Sequence, residues 1–111
     1  MNTVAIEKAI ESEFVCWYQN DELPTDWVDG KLRMDWTARV PESAGRLLHV
    51  LGKDRAGELI RVLERMRDAP DDLLVQRISA RTNTDWSYDP ESRPDFEDLL
   101  NRLIAALRAK A

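Results

Sequence analysis

The chain has 111 residues, with 16 lysines and arginines against 21 aspartates and glutamates, so its net charge is -5. This length predicts one domain over residues 1–111, large enough to bury a core without a disulfide or metal staple. The single cysteine excludes an internal disulfide, and no apolar run approaches the roughly 18 residues of a membrane span. Residues 1–13 are too acidic for a secretory signal, so we expect a cytoplasmic protein that contacts no membrane.

The first part of the chain predicts one helix, one loop and one strand. Residues 3–19 are predicted to form a helix because apolar residues recur three and four positions apart. Residues 20–30 are polar and include a proline and a glycine, which predicts a loop. Apolar and polar residues alternate over 31–40, as is typical of a half-buried strand. Pro41 would end that strand, because proline cannot donate to a ladder.

The rest of the chain predicts three helices and a short hairpin. Helical periodicity is present over 42–51 and 54–68. Alternation over 73–82 predicts a second strand, and 86–88 is predicted to return as a short third strand. The last helix, 95–110, has apolar residues at consistent helical spacing, namely Phe96, Leu99, Leu100, Leu103, Ile104 and Leu107.

Together these elements predict an α+β fold. About four helices would pack on a small two- or three-stranded antiparallel sheet, in the order α-β-α-α-β(-β)-α. The same order allows a winged-helix topology. In that case residues 42–68 would form a helix-turn-helix and residues 73–88 the wing.

Charge is distributed unevenly along the chain. Residues 1–30 contain seven acidic residues and one basic residue, whereas residues 31–70 contain nine basic and six acidic residues. Residues 71–111 contain eight acidic and six basic residues. The acidic first third is suited to a basic protein surface, and the basic middle is more compatible with nucleic acid.

Three of the four tryptophans follow an aspartate, and two share the sequence Thr-Asp-Trp, at residues 25–27 and 84–86. Tryptophan is enriched at binding hot spots because it buries a large area at low entropic cost. Trp27 lies in a segment without periodicity that would bury it, so it is the candidate anchor for a partner protein. Nearby acidic residues would steer a basic partner, namely Asp21, Glu22, Asp26 and Asp29. Trp86 with Asp85 is a second candidate, and coincidence in an aspartate-rich chain is the alternative explanation.

A winged-helix-like nucleic-acid-binding regulator is the alternative function. It would use the helices at 42–68 and four basic residues there, namely Lys53, Arg55, Arg61 and Arg65. Acidic residues lie between these cations. Such mixed charge is typical of a salt-bridged, solvated helix face and argues against a recognition helix.

The sequence offers little for catalysis or for binding a metal or cofactor. Its one histidine, His49, lies among leucines and valines, which favours a structural role. In size, acidity and lack of catalytic motifs the chain resembles small bacterial or phage accessory proteins such as inhibitors and immunity proteins. We therefore predict a non-catalytic protein-binding module of inhibitor, immunity or adaptor type, without metal or cofactor. A homodimer is compatible with the strongly apolar first and last helices.

Overall fold

The structure, a computed structural model, describes residues 3–19, 25–28, 31–34, 39–82, 86–90 and 92–110, with backbone only at 16–19, 25–28, 31–34, 39 and 92. These residues form five α-helices, one 3-10 turn and one β-hairpin. In chain order they are α1 (Val4–Gln19), β1 (Thr25–Val28), β2 (Lys31–Met34), α2 (Arg39–Leu51), the 3-10 turn (Lys53–Arg55), α3 (Ala56–Asp68), α4 (Leu73–Thr82) and α5 (Ser92–Lys110).

The predicted α+β class is wrong, because this is a helical protein. Strands β1 and β2 form a two-stranded antiparallel ladder, and it does not serve as a sheet on which the helices pack. The second predicted strand is helix α4, and the predicted third strand at 86–88 is a turn. Without strands over 73–88 in the described residues there is no wing, so the winged-helix topology is also wrong.

Helix α4 forms where alternation predicted a strand because a capped helix buries its apolar residues better. Its buried residues follow helical spacing, namely Leu74, Val75, Ile78 and Ser79. Asp72 accepts a hydrogen bond from the backbone N–H of Leu74 at 2.9 Å, and this contact caps the helix. The strand interpretation would have placed Gln76 on the apolar face, whereas the structure exposes it. The aspartate before Leu73 was the sequence signal for this helix.

The predicted strand over 31–40 is a strand only at its start. Strand β2 ends at Met34, and Arg39 and Val40 already belong to α2, while 35–38, including Trp36, lie outside the described residues. Pro41 lies in the first turn of α2 and therefore does not act as a strand terminator. Proline is tolerated there, because the first backbone N–H groups of a helix have no intrahelical acceptor.

The helices predicted at 3–19, 54–68 and 95–110 are confirmed by α1, α3 and α5. All six apolar residues of the α5 stripe are at most 2% exposed. On α1, three residues of the stripe are fully buried, namely Ile6, Ile10 and Phe14. The chain therefore covers the α5 stripe and these three residues of α1 itself, and the argument for a homodimer no longer applies to these buried residues.

Helices α1 and α5 organise the packing of the bundle. Helix α5 packs against α2 and α3, and α1 packs against α4, α2 and α3. Their buried faces share one apolar core, to which α3 contributes Leu59, Leu63 and Met66. Gly52 ends α2 with a positive φ of 93°, which an L side chain rarely adopts, and its N–H donates to the carbonyl of Leu48 at 2.8 Å.

Arg93 ties the start of α5 to two other segments of the chain. This arginine is 7% exposed. Its guanidinium donates to the carbonyl of Met66 at 3.0 Å, to that of Arg67, and to that of Trp86 at 3.1 Å. The carbonyls at 66 and 67 belong to the last turn of α3 and lack intrahelical donors, so the arginine caps that helix with a favourable charge. Arg93 also lies over the Phe96 ring, 5.5 Å from its centroid.

Candidate functional site

The predicted contact segment contains a β-hairpin between α1 and α2. The ladder pairs Trp27 with Leu32 and Asp26 with Arg33. Successive residues of a strand alternate between its two faces, so Thr25, Trp27, Leu32 and Met34 belong to one face. The opposite face carries Asp26, Val28, Lys31 and Arg33. One face therefore contains mainly apolar residues, and the other has both signs of charge.

The loop predicted at 20–30 is wrong for residues 25–28, which form β1. The remaining acidic candidates of this segment lie outside the described residues, namely Asp21, Glu22 and Asp29. Strands β1 and β2 are separated by Asp29-Gly30, and an Asp-Gly pair between two such runs is a strong hairpin signal. That dipeptide could have predicted the hairpin from the sequence.

Trp86 belongs to the core of the bundle. It is 5% exposed, and its ring stacks on Phe96 with centroids 4.6 Å apart. Phe14 approaches both rings edge-on at 6.1 Å. The backbone N–H of Trp86 donates to Ser79 Oγ at 3.2 Å. Trp86 is therefore not an exposed anchor for a partner, and its neighbour Asp85 lies outside the described residues.

The acidic residues of α1 are paired within the bundle. Glu7 accepts from Arg65 at 2.7 Å, and Glu11 accepts from Arg77 at 3.0 Å and also from Arg81. Glu13 is paired in the same way. It accepts from the Ser43 hydroxyl at 2.8 Å and from Arg46 Nε at 2.9 Å. These carboxylates stabilise the bundle, so they add little negative field for a partner.

The pKa of Glu11 reflects its ion pairs with Arg77 and Arg81. Burial alone would raise the pKa of its carboxyl, but the hydrogen bonds and charges of Arg81 and Arg77 outweigh burial and lower the pKa below its ordinary value of 4.5. The Glu11 side chain is 14% exposed, whereas both arginines are 51% exposed. The ion-pair cluster thus joins α1 to α4 at the edge of the core.

The four cations of the nucleic-acid alternative do not form one free surface. Arg65 binds Glu7 and Asp72, the latter at 2.6 Å. Burial alone would lower the pKa of Arg65, but hydrogen bonds to these two carboxylates outweigh it and raise the pKa. Arg55 pairs with Glu58 at 3.3 Å. Lys53 and Arg61 are exposed and have no carboxylate partner among the described residues.

Besides the hairpin segment, an open surface with two grooves lies along the outer face of α2. One groove of about 490 Å³ is lined by Gly45, Leu48, His49, Lys53 and Lys110. A second groove of about 530 Å³ shares Gly45 and His49 with it and extends toward Ala9 on α1. We call the two together the α2 groove. His49 is exposed here and therefore does not belong to the core.

Sequence reasoning missed the α2 groove because helices from three parts of the chain form it. The one available signal was Gly45, a glycine in the interior of a predicted helix, where glycine weakens the element. Such a glycine often marks a place where another group approaches the backbone closely.

The described residues contain neither a metal-binding cluster nor a helix that could span a membrane. They contain no group of three or more histidine, cysteine, aspartate or glutamate side chains arranged to hold a metal ion. None of the helices over these residues has both the length and the apolar character needed to cross a bilayer.

Comparison with other proteins adds no family assignment. No protein-family model, curated protein sequence or solved structure matches this chain.

Proposed function

We propose that this chain is a non-catalytic protein-binding module that contacts its partner through the β1–β2 hairpin. Trp27 would be the anchor, and the acidic residues near it would face a basic partner surface, namely Asp21, Glu22, Asp26 and Asp29. Binding of this kind suits an inhibitor or adaptor, and the single cysteine suits the reducing cytoplasm.

The observation that carries this proposal is the position of the hairpin relative to the bundle. Within the described residues, the backbone neighbours of β1 and β2 are chiefly each other. A two-stranded hairpin by itself is marginally stable in water. A partner surface that covers its apolar face, which includes Trp27 and Leu32, would stabilise it and gain affinity from the buried tryptophan.

The charge pattern supports a basic partner. The acids of α1 are already paired with arginines of the bundle, as Glu11 is with Arg77 and Arg81. The acidic residues of 21–29 are close in sequence to one another and to Trp27. Complementary charge around a hydrophobic anchor speeds association and selects the partner.

Affinity capture from a lysate of the native host tests the proposal. The parent chain, Trp27→Ala and Tyr88→Ala are used as baits, and bound proteins are quantified by mass spectrometry. Tyr88 is 68% exposed and lies outside the hairpin, so its variant is a matched loss of an aromatic residue. We expect a partner whose recovery falls about 30-fold with Trp27→Ala and stays unchanged with Tyr88→Ala.

Two results would contradict the proposal. One is a partner recovered equally with all three baits, since the hairpin tryptophan would then contribute nothing. The other is retention by duplex DNA with a steep salt dependence that Lys53→Ala and Arg61→Ala weaken, which would support the nucleic-acid alternative. Circular dichroism at 222 nm confirms that each bait is folded.

A further inference from the structure

The α2 groove, between α1, α2 and the end of α5, presents apolar surface that the bundle leaves uncovered. Val50 is 70% exposed and lies beside Leu47 along the second groove. Leu48, a core residue that is 5% exposed, lines the first groove on the other side of the α2 ridge. Exposed apolar surface arranged in a groove between helices is typical of a binding site for a further helix.

Gly45 lies where the two parts of the α2 groove meet. A Cβ atom built on Gly45 would meet nothing within 4 Å, so packing in the bundle gives no reason for a glycine in this helix. Glycine weakens a helix interior relative to alanine. The absent side chain lowers the ridge of α2 and joins the two grooves. The distance between packed helix axes depends on the side chains at the contact, so a partner helix can approach closely here.

Two unpaired cations lie at the end of the α2 groove. Nine arginines of the bundle each hold a carboxylate: Arg46, Arg55, Arg65, Arg67, Arg77, Arg81, Arg93, Arg102 and Arg108. Lys53 and Lys110 have no carboxylate partner among the described residues, and both line the same groove. Among the described residues no acidic residue lines that part of the α2 groove, whereas the second groove is lined by Glu13, which is paired with Arg46. The first groove therefore combines apolar surface with uncompensated positive charge.

We propose that the α2 groove binds an acidic amphipathic helix of a partner protein. The apolar stripe of that helix lies over Gly45 and contacts Leu48 in the first groove. Its acidic residues face Lys53 and Lys110, where the charges are complementary. The chain would then have two contact regions of opposite preference: the hairpin for a basic surface and the groove for an acidic helix.

Synthetic peptides test this proposal. The probe is a fluorescein-labelled helix of about 18 residues, or five turns, with a leucine stripe flanked by glutamates. A matched peptide carries lysines in place of the glutamates. Fluorescence anisotropy at low salt is expected to show saturable binding of the acidic peptide and at least about tenfold weaker binding of the basic one. In ¹H–¹⁵N spectra the largest shifts are expected at Gly45, Leu48, His49, Lys53 and Lys110.

Matched variants separate the groove from general effects of charge and helix stability. Gly45→Gln fills the groove and is expected to weaken peptide binding about tenfold. The control is Gly57→Gln, because a Cβ at Gly57 also meets open space, and it is expected to leave peptide binding unchanged. Lys53→Glu with Lys110→Glu should abolish measurable binding. Lys8→Glu with Arg61→Glu makes the same change in net charge outside the groove, and should weaken binding about twofold or less.

Several outcomes would overturn the assignment. One is the absence of saturable binding by the acidic peptide, and another is equal binding of the two peptides. A third is an equal loss of peptide binding in the Lys53→Glu, Lys110→Glu variant and in the Lys8→Glu, Arg61→Glu control. Displacement of the peptide by duplex DNA, with spectral shifts at the same lysines, would assign the groove to nucleic acid and also overturn it. Trp27→Ala is expected to leave peptide binding unchanged, so the groove and the hairpin fail or succeed independently.

Discussion

The sequence Thr-Asp-Trp occurs twice in this chain, and its two copies lie in different physical environments. At 84–86 its tryptophan is 5% exposed and stacks on Phe96 in the core. At 25–27 the same three residues belong to a strand whose described neighbours are chiefly the paired strand. A short motif therefore does not determine whether a tryptophan supports the fold or is available to a partner.

This contrast extends to the rest of the molecule. The bundle satisfies its own groups: the acids of α1 hold arginines from α2, α3 and α4, and Arg93 caps α3. The hairpin and the α2 groove are the two regions that we propose for contact with partners. Substitutions in the bundle should therefore reduce stability, and substitutions in the two outer regions should change binding with little effect on stability.

The largest expected effect is the difference between the two tryptophans. Trp86→Ala removes a stacked ring from the core and is expected to lower the free energy of unfolding by about 3–5 kcal/mol. Trp27→Ala is expected to change it by less than about 1 kcal/mol. Urea unfolding followed by circular dichroism measures both. Equal losses would contradict the contrast, because the hairpin would then be part of the cooperative core.

A second effect concerns the buried guanidinium of Arg93. Arg93→Met keeps the length of the side chain but leaves the carbonyls of Met66, Arg67 and Trp86 without their donor, so we expect a loss of about 2–3 kcal/mol. Arg102→Met removes an arginine that is 49% exposed and paired within α5, and its expected loss is below about 0.5 kcal/mol. Similar losses for the two variants would show that Arg93 has no capping role. The measurement is again urea unfolding.

The sequence was sufficient to predict the helices whose apolar stripes extend over several turns. The α5 stripe from Phe96 to Leu107 repeats so regularly that only a helix buries all six residues. Helix α4 spans only ten residues, too few for periodicity to separate it from a strand, and the Asp72 cap was the deciding local signal.

Tertiary contacts could not be predicted from the sequence. Glu7 and Arg65 are 58 positions apart, and nothing local brings them together. Trp86 lies in a turn and is buried because Phe14 of α1 and Phe96 of α5 converge on it. The hairpin was missed for a different reason, since the Asp29-Gly30 signal was present in the sequence.

The third effect is the pH dependence of the Glu11 cluster. The pKa of Glu11 is lowered in the fold, so its stabilisation is present above the unfolded value and disappears as the pH falls through the folded one. Glu11→Gln is therefore expected to lose about 1 kcal/mol at pH 7, because solvent screens the half-exposed arginines. The deficit should narrow below pH 4.5. Asp98→Asn, at a side chain 56% exposed, is the control. A deficit independent of pH would show that charge is not the cause.

The smallest effect separates stability from binding at one position of the α2 groove. Gly45→Ala is expected to raise the free energy of unfolding by about 0.5–1 kcal/mol, because the added Cβ meets open space and alanine favours the helix interior. Gly57→Ala lies in the first turn of α3, so its gain should be smaller. Gly52→Ala should instead destabilise, because a Cβ there lies 2.7 Å from Asp54 Oδ1 at a positive φ. Thermal melts measure all three.

If Gly45→Ala melts higher yet binds the acidic peptide less tightly than Gly57→Ala, the glycine serves contact with a partner at some cost in stability. A lower melting temperature for Gly45→Ala would mean that the bundle itself requires glycine at this position.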